Sequence, residues 1–502
     1  MMNHWIIAPV VLPAVMGAFT VLVLRNNISL GRIFSTAATA LLLLVSVLLL
    51  AGATQNGPEV YFLGNWPAPF GIVLVLDRLS ALMVALTAFL GLAVQLYAIG
   101  TGWDRRGRHF HALWQFQLMG ICGAFLTGDA FNLFVFFEVL LIASYGLMIH
   151  AGGRDRLKAG VQYVAYNLVG STLFLFALAT IYSVTGTLNM ADLAVKLPTL
   201  PEGDFALIRV AGVMLLMVFA IKGALVPLHF WLPATYANAP GPVSALFAVM
   251  TKVGAYAVIR CYTLFFPEDL TATGMLFADL LLPAAVLTLA VGAVGVLGAK
   301  DLGRLVAFGA VTSMGTLFVA VAQFTPEATA VALFYAVHST LAAGAMFLVA
   351  DLVLERRASG SLLTALPPLS QHGLLAACFM AVSIAVAGLP PLSGFLGKLM
   401  VLDATRGDDI ALIWAAVLGS SLMMVVGLSR AGSVLFWKAH EAEGQSTEHA
   451  AQPLAFVAVF ALLGGLVMLT LAAGPVMSWL AETAQQLHDP AAYIAANRLE
   501  AL

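Results

Sequence analysis

The chain has 502 residues, of which 61% are hydrophobic and 10% are charged, and its formal net charge is −2. A soluble domain carries about 25% charged residues, so a fold of this size could not cover its surface with polar groups in water. The near-neutral charge gives no sign of a nucleic-acid partner. The three cysteines are far apart and indicate neither a disulfide framework nor a metal site.

Apolar stretches of about 20 residues, the length that crosses a bilayer core, recur along the whole chain. They predict an all-α integral membrane protein with about fourteen transmembrane helices in a single membrane domain over residues 1–502. The first stretch is interpreted as a span that stays in the protein, because it lacks the basic region and cleavage site of a signal peptide. The predicted spans are 4–24, 31–51, 72–99, 110–127, 129–149, 158–185, 206–230, 241–265, 274–298, 303–323, 327–354, 371–404, 410–437 and 453–480.

Lys and Arg are distributed unevenly between the predicted loops. If the N-terminus lies outside, 14 of them fall in inside loops and three, Lys196, Arg406 and Arg498, fall in outside segments. Because short cytoplasmic loops are rich in Lys and Arg, this split favours an even number of spans with both termini outside. The inside residues are Arg25, Arg32, Arg105, Arg106, Arg108, Arg154, Arg156, Lys158, Lys300, Arg304, Arg356, Arg357, Arg430 and Lys438.

A faint internal repeat relates two segments that begin with aspartate. Asp129–Val139 and Asp301–Val311 carry the same residue type at four aligned positions. The copies are five predicted spans apart, and an odd number of spans turns the second copy upside down, as in the inverted repeats of secondary transporters. The predicted organisation is three first helices in 1–107, a five-helix repeat in 108–270, an inverted second repeat in 271–440, and a last helix with a short tail in 441–502.

Four ionisable residues stand within apolar segments: Glu138, Lys222, Lys252 and Lys398. A charge at the bilayer centre costs roughly 2.5–3.5 kcal/mol on insertion scales, so we expect these groups to face one another or internal water. A Glu–Lys pair in such a place can act as a switch, because separating the charges, or bringing a cation close, changes which group holds the proton. We therefore assign a proton path to these residues.

Two proline sites near these lysines predict broken helices. Pro227 follows Lys222 by five residues, and Pro390 and Pro391 precede Lys398. Proline removes a backbone donor and crowds the preceding turn, so freed carbonyls and water can line a polar path. A simple kink, which is common in membrane helices, is the alternative for either site alone.

Two histidines extend the candidate path. His338 is central in its predicted span and can both accept and donate a proton near neutral pH, although a hydrogen-bonded structural histidine fits the pattern equally well. His229, beside Pro227, is the candidate group for proton uptake near the inner membrane edge. Three arginines near span ends are expected to extend their charged groups toward the membrane surface: Arg78, Arg209 and Arg260.

Sequence motifs for other chemistries are absent. The chain has no phosphate-binding loop, no dinucleotide-binding glycine pattern, no His-Glu-x-x-His and no cysteine set for haem or an iron–sulfur cluster. We therefore expect no cofactor and no metal, and neither an ATP-driven pump nor a redox centre in this chain.

At these residues the sequence resembles the proton-pumping antiporter-like family, which includes the large membrane subunits of respiratory complex I and the Mrp-type multi-subunit cation/proton antiporters. The resemblance covers nearly the whole chain and is greatest to the D subunits of the Mrp type. The segments that carry it are Asn132–Tyr145, Lys222–Ser244 and Gly388–Lys398, together with Lys252.

The resemblance implies fourteen helices with two inverted five-helix repeats, a Glu138–Lys222 gating pair, Lys252 and His338 as central relay groups, and Lys398 as the terminal group. It implies a proton-translocating subunit of a sodium (or potassium)/proton antiporter, not an enzyme, which works with other antiporter subunits in a hetero-oligomer in the bacterial inner membrane. The alternative is a proton-pumping membrane subunit of a complex I-like oxidoreductase or an energy-converting hydrogenase. An assembly scaffold with structural charges is a third hypothesis.

The chain departs from the family pattern in its second repeat. Ala310 stands at the position that matches Glu138, so Lys398 has no repeat-equivalent partner within the chain. The middle antiporter-like subunit of complex I typically carries Glu where this chain has Lys398. A carboxylate of a neighbouring subunit, or Asp403, remains as a candidate partner, although Asp403 lies five residues along the helix and points to a different face.

Overall fold

A computed structural model describes residues 4–357, 362–407, 409–442 and 449–499. The last three residues of the predicted tail lie outside the described residues. Short 3-10 and π-helical turns connect several of the α-helices. The α-helices are α1 (Ala8–Leu22), α2 (Ile28–Asn56), α3 (Arg78–Thr101), α4 (Phe110–Leu126), α5 (Ala130–Met148), α6 (Arg154–Thr185), α7 (Met190–Lys196), α8 (Phe205–Gly223), α9 (Trp231–Asn238), α10 (Gly241–Leu264), α11 (Leu276–Gly298), α12 (Leu302–Val321), α13 (Pro326–Glu355), α14 (His372–Ala387), α15 (Ser393–Ala404), α16 (Ile410–Gly432), α17 (Pro453–Leu471), α18 (Ala473–His488) and α19 (Ala491–Ala496).

Most of these helices have the length and composition to cross a bilayer. In the described part of the chain, twelve helices are long and apolar enough to span a membrane, and α4 and α14 are shorter apolar helices. Each of the twelve has an 18-residue apolar window, close to the length that a helix needs to cross the hydrocarbon core. The predicted class is confirmed at this level: the protein is a helical, multi-pass membrane protein.

A short β-hairpin, which the sequence did not predict, precedes α3. Strand β1 (Glu59–Phe62) pairs antiparallel with β2 (Val73–Leu76). The predicted span 72–99 therefore begins as a strand, and its helix begins only after Asp77, whose side chain accepts a hydrogen bond from the backbone N–H of Ser80. A short run of Val and Leu fits a buried strand as well as a helix, so hydrophobicity alone could not separate the two.

Three predicted spans are divided in the structure. The helical part of 206–230 ends at Gly223, and 371–404 consists of α14 and α15 separated by residues 388–392. The last predicted span, 453–480, consists of α17 followed by α18, and α19 follows in the segment that was predicted as a short tail. The first two divisions lie beside Lys222 and Lys398, the two lysines that have prolines nearby in the sequence.

The helix pairs α4–α5 and α11–α12 pack through equivalent contacts, at the sequence offset of the predicted repeat. In each pair, two glycines of the first helix lie directly against the second helix, where a methyl group would clash. In each pair, the second helix begins after an aspartate whose side chain accepts a hydrogen bond from a backbone N–H three residues on. The contact Gly120–Leu140 in the first pair corresponds to Gly292–Thr312 in the second, and Gly123–Phe136 corresponds to Gly295–Phe308. The capping aspartates are Asp129 and Asp301.

Helices α10 and α13 form the centre of the bundle. In α10 every residue from Pro242 to Leu264 is buried, and in α13 almost every residue is buried. The two helices pack on each other; α10 also contacts α3 and α8, and α13 contacts α14, α15 and α17. A helix without a lipid-facing side must find partners for its polar residues inside the protein. These are the helices that carry Lys252 and His338.

Candidate functional site

Helix α6 connects Glu138 of α5 with Lys222 of α8. The Oε1 of Glu138 accepts a hydrogen bond from the hydroxyl of Ser171, and the Nζ of Lys222 donates to the Oδ1 of Asn167 at 2.9 Å. Asn167 and Ser171 are four residues apart, so they lie one turn from each other on the same face of α6. The two predicted gating residues are thus held at neighbouring positions of a third helix.

Glu138 and Lys222, both of which the structure describes, form no ion pair within 4.0 Å. Lys222 is buried and Glu138 is half-buried. The Nζ of Lys222 lies 5.5 Å from the centre of the Phe137 ring, within the range of a cation–π interaction. The lysine also borders a cavity, lined in addition by Trp231 and Met250, in which about 10 Å³ is open to the centre of a water molecule. This is room for one water beside the lysine.

The helix that carries Lys222 ends at the next residue, Gly223. The residue that follows adopts a left-handed conformation with φ 53°, which is typical of a helix C-terminus. The indole N–H of Trp231 donates to the carbonyl oxygen of Ile221 at 2.8 Å, and the same oxygen accepts from the backbone N–H of Ala224 at 3.1 Å, so the end of the helix is tied to α9. Pro227 lies in the non-helical segment between α8 and α9. The lysine is therefore next to an interruption of the backbone ladder.

His229 lies in the same non-helical segment as Pro227. Its side chain is buried, and its ring centre lies 4.4 Å from that of Phe230. Within the described part of the chain, the Nδ1 of His229 has no hydrogen-bond partner. An unsatisfied buried nitrogen is a site for a water molecule or a proton, but no hydrogen bond links His229 to Lys222 in the described residues. Its role in proton uptake stays a prediction.

Lys252 lies in the middle of α10 and is 2% exposed. Among the described residues, its Nζ makes no hydrogen bond or ion pair. Two residues further on, Gly254 lets α10 approach α8: a methyl group there would lie 3.1 Å from the Cβ of Lys222 and 2.7 Å from the carbonyl oxygen of Phe219. The lysines of α8 and α10 are therefore carried by helices in direct backbone contact.

His338 connects α13 to the second helix break. Its Nδ1 lies 2.9 Å from the hydroxyl of Ser393, the first residue of α15. A methyl group on Gly394 would lie 3.0 Å from the Nε2 of His338, so glycine at this position lets α15 begin against the imidazole. Helix α13, which carries His338, packs on both α10, which carries Lys252, and α15, which carries Lys398. The histidine thus lies on a helix that contacts both lysine-bearing helices.

Lys398 binds the end of the preceding helix rather than a carboxylate. Its Nζ donates to the carbonyl oxygen of Ala387, the last residue of α14, at 2.8 Å, and to the hydroxyl of Ser421 at 3.0 Å. The C-terminal end of a helix carries a partial negative charge, which suits an ammonium group. Asp403 instead pairs with Arg406 at 2.6 Å, and both of these side chains are exposed. The helix break supplies an acceptor for Lys398 that no side chain of the sequence suggested.

A small cavity borders Ala310. The cavity is also lined by His338, Ser313 and Tyr335, and about 20 Å³ of it is open to the centre of a water molecule. That volume accommodates a water, and the hydroxyl and imidazole groups provide hydrogen-bond partners for it. Space and neutral polar groups therefore surround Ala310, the residue that the predicted repeat aligns with Glu138.

Four polar residues of the site were not predicted: Asn167, Ser171, Ser393 and Ser421. The first two stand at four-residue spacing in an apolar helix, which is a signal that the sequence carried. Ser393 lies inside the segment Gly388–Lys398, where the sequence gave no reason to choose it, and Ser421 reaches Lys398 only because α16 packs beside the broken helix. The expectation for Arg260 was wrong: it is 3% exposed and binds Asp77 at 2.6 and 2.9 Å instead of reaching the membrane surface.

Comparisons with known proteins concern the sequence and the fold of the chain. A sequence model of the family described as NADH:quinone oxidoreductase/Mrp antiporter, TM, matches residues 127–424. A Rhizobium meliloti protein named as the probable D subunit of a K(+)/H(+) antiporter is 38% identical over 526 residues, covering 97% of this chain and 96% of the relative. The D subunit of the Na(+)/H(+) antiporter of Bacillus subtilis is 37% identical over 497 residues, covering 99% of each. A chain in the structure of the Mrp complex from Dietzia sp. DQ12-45-1b superposes with a TM-score of 0.88 at 27% identity, covering 99% of this chain and 100% of that chain.

The matched region includes every predicted path residue, from Glu138 to Lys398. The curated relatives align along their full length, so the likeness extends to the first helices and to the C-terminal helices as well. Sequence and fold thus lead to one assignment. The chain belongs to the NADH:quinone oxidoreductase/Mrp antiporter family of membrane proteins.

Proposed function

We propose that the chain is the proton-translocating subunit of a multi-subunit sodium or potassium/proton antiporter, equivalent to the D subunits of its relatives. The observation that carries the proposal is the series of ionisable groups inside the membrane domain, which runs from Glu138 and Lys222 through Lys252 and His338 to Lys398. The full-length relatives are named as antiporter subunits, so the chain is a transporter subunit of the cell membrane and not an enzyme.

The first step of the proposed path is the exchange of Lys222 between two acceptors. Its ammonium is bound to Asn167, and Glu138 is bound to Ser171 one turn away. Movement of Lys222 to Glu138 would form an ion pair, which gains about 4 kcal/mol at about 4 Å and an effective dielectric near 20. A proton or cation that arrives at Glu138 removes this gain. The charge state of Glu138 therefore decides whether Lys222 holds its proton or passes it toward Lys252.

His338 is the proposed link between the central lysine and the terminal one. An imidazole can accept a proton at one nitrogen and donate from the other, and its Nδ1 is already in contact with Ser393. A water in the cavity beside Ala310 would extend the reach of the imidazole in the second repeat. The carbonyl oxygen of Ala387 lies at the C-terminal end of α14, where the partial negative charge of the helix favours the charged form of Lys398. Lys398 would therefore release its proton when its ammonium group moves away from this oxygen.

The finer architecture belongs to the same proposal: fourteen spans, inverted repeats over 108–270 and 271–440, and both termini outside. The twelve long apolar helices and the two shorter ones support fourteen spans. The equivalent contacts of α4–α5 and α11–α12 support the repeat, as do the two broken helices, α8–α9 and α14–α15, which each form the fourth predicted span of a repeat. The distribution of Lys and Arg supports the orientation.

Partner subunits are part of the proposal, since the relatives are named as subunits and the similar chain of known structure comes from an Mrp complex. The name of one relative gives potassium and that of the other gives sodium, so both ions are candidates. The family description also covers NADH:quinone oxidoreductases, but the relatives that align along the full length are named as antiporters.

The proposal is tested in everted membrane vesicles that contain the complete complex, in a host without other sodium or potassium antiporters. After respiration has acidified the vesicles, added sodium or potassium should release the proton gradient, as followed with a pH-sensitive dye. Glu138→Gln should abolish this release, and Glu138→Asp should retain part of it, because aspartate keeps the charge with a shorter reach. Release at the normal rate in Glu138→Gln, with the complex assembled, would contradict the proposal.

A further inference from the structure

One face of α10 carries polar groups from the centre of the membrane domain to the C-terminal end of the helix. Lys252, Tyr256 and Arg260 follow one another at four-residue spacing, so they line the same face, with Arg260 about 12 Å along the axis from Lys252. All three side chains are buried. A polar face thus leads out of the proposed relay toward the end of the bundle where α3 begins.

This face ends in a buried ion pair. The two terminal nitrogens of Arg260 bind the two carboxylate oxygens of Asp77 at 2.6 and 2.9 Å, and its Nε donates to the hydroxyl of Tyr256 at 3.4 Å. The Tyr256 hydroxyl in turn donates to the carbonyl oxygen of Phe125 at 2.6 Å. Desolvation offsets much of the attraction in a buried ion pair, and apolar residues of similar volume are often as stable. Stability alone therefore does not account for a charged pair here.

The C-terminal helices close over this ion pair. The ring centre of Tyr493, in α19, lies 5.3 Å from the Cζ of Arg260, and its buried hydroxyl has no partner among the described residues. The cavity between them has about 10 Å³ open to the centre of a water molecule, which is room for one water. Helix α18 packs on α10 and α13, and its Glu482 pairs with Arg78 of α3 at 2.7 Å. The ion pair is thus covered by a segment attached to three helices.

Arg260 blocks proton transfer at this end of the polar face of α10, because of the chemistry of its guanidinium group. A guanidinium has five N–H donors and no acceptor, and it does not lose its proton in proteins, so it cannot take one from Tyr256 or from a water. A single water beside it cannot form a continuous chain to the surface. We infer that the Arg260–Asp77 pair, covered by the C-terminal helices, is a fixed seal that prevents protons carried by Lys252 from escaping at this end of the bundle. The inference rests on the proposed function, because it requires that Lys252 carries protons.

The experiment measures passive proton flow through the assembled complex. Liposomes that contain the complex and the internal pH dye pyranine receive an external acid pulse in buffer without sodium or potassium, with a lipophilic cation to balance charge. Exchange cannot run in this buffer, so internal acidification reports leakage. The variant Arg260→Ser with Asp77→Ser removes the ion pair, keeps a capping residue for α3 and leaves space for water. We expect its leakage to rise at least roughly tenfold, because a water chain removes most of the desolvation barrier of a dry interior.

The matched control is Arg260→Leu with Asp77→Asn, which also removes both charges and keeps a cap, but fills the space with an apolar side chain. It should remain as tight as the unchanged complex. Tyr493→Ala keeps both charges of the ion pair but removes the ring that packs on Arg260, so water can enter beside the pair, and this variant should also leak. The inference is overturned if the serine variant and Tyr493→Ala are both as tight as the control, or if the control leaks as much as they do. A complex that is tight but shows no cation exchange would contradict the proposed function instead.

Discussion

Replacing Asn167 with leucine removes the acceptor that holds Lys222 away from Glu138. The Nζ of Lys222 lies 2.9 Å from the Oδ1 of Asn167, and leucine has a similar size but offers no acceptor. A hydrogen bond to a charged group contributes about 1.5–3 kcal/mol. The balance between the two positions of Lys222 should therefore shift roughly ten- to a hundredfold toward Glu138.

A lysine that remains with Glu138 cannot pass its proton on, so we expect cation-driven proton release in everted vesicles to fall by roughly tenfold or more in Asn167→Leu. The matched control is Thr172→Ala on the same helix. Thr172 is exposed, and its hydroxyl donates only to the carbonyl oxygen of Leu168 within α6, so its loss should leave exchange unchanged. Co-purification of the other subunits with each variant checks that the complex has assembled.

Equal exchange rates in Asn167→Leu and Thr172→Ala would refute this gate. A double-mutant cycle sharpens the test, because residues in contact show coupling and independent residues do not. Lys222→Ala alone should abolish exchange. Because no activity then remains to be lost, the second member of the cycle is Glu138→Asp, which retains part of the exchange. If Asn167 and Glu138 compete for Lys222, the loss in the double variant should differ from the product of the two single losses. A loss equal to that product would show that Asn167 acts on something other than this competition.

The remaining predictions concern the relay and its terminal group. His338→Ala and Lys252→Ala should each slow exchange and move its pH optimum, since a proton carrier is lost; if His338→Ala changes neither the rate nor the pH profile, the histidine is structural and water carries the proton. Lys398→Ala and Lys398→Arg should both impair exchange strongly, because arginine stays protonated, while Asp403→Asn should change it little, since Asp403 pairs with the exposed Arg406. An active Lys398→Arg variant would remove Lys398 from the proton carriers.

The sequence by itself determined the class of the protein and the identity of its ionisable groups. Apolar runs of bilayer length predict membrane spans because the bilayer offers no hydrogen bonds to an unfolded backbone. A charge inside such a run is conspicuous because it is costly, and this marked Glu138, Lys222, Lys252 and Lys398 before any geometry was available. The proline positions likewise pointed to the two places where α8 and α14 end, because proline removes a backbone donor and crowds the preceding turn.

Only the tertiary structure decided which groups meet. The acceptor of Lys398 is the backbone carbonyl of Ala387, and every residue type carries the same carbonyl, so no sequence pattern marks it. The position of Arg260 near the end of a predicted span favoured a side chain at the membrane edge, but in the structure it pairs at 2.6 Å with Asp77, which is far away in the sequence. The hairpin before α3 was missed because short apolar runs fit either a strand or a helix, and pairing between segments settles the choice. Contacts between distant parts of the chain depend on packing, which the local pattern does not contain.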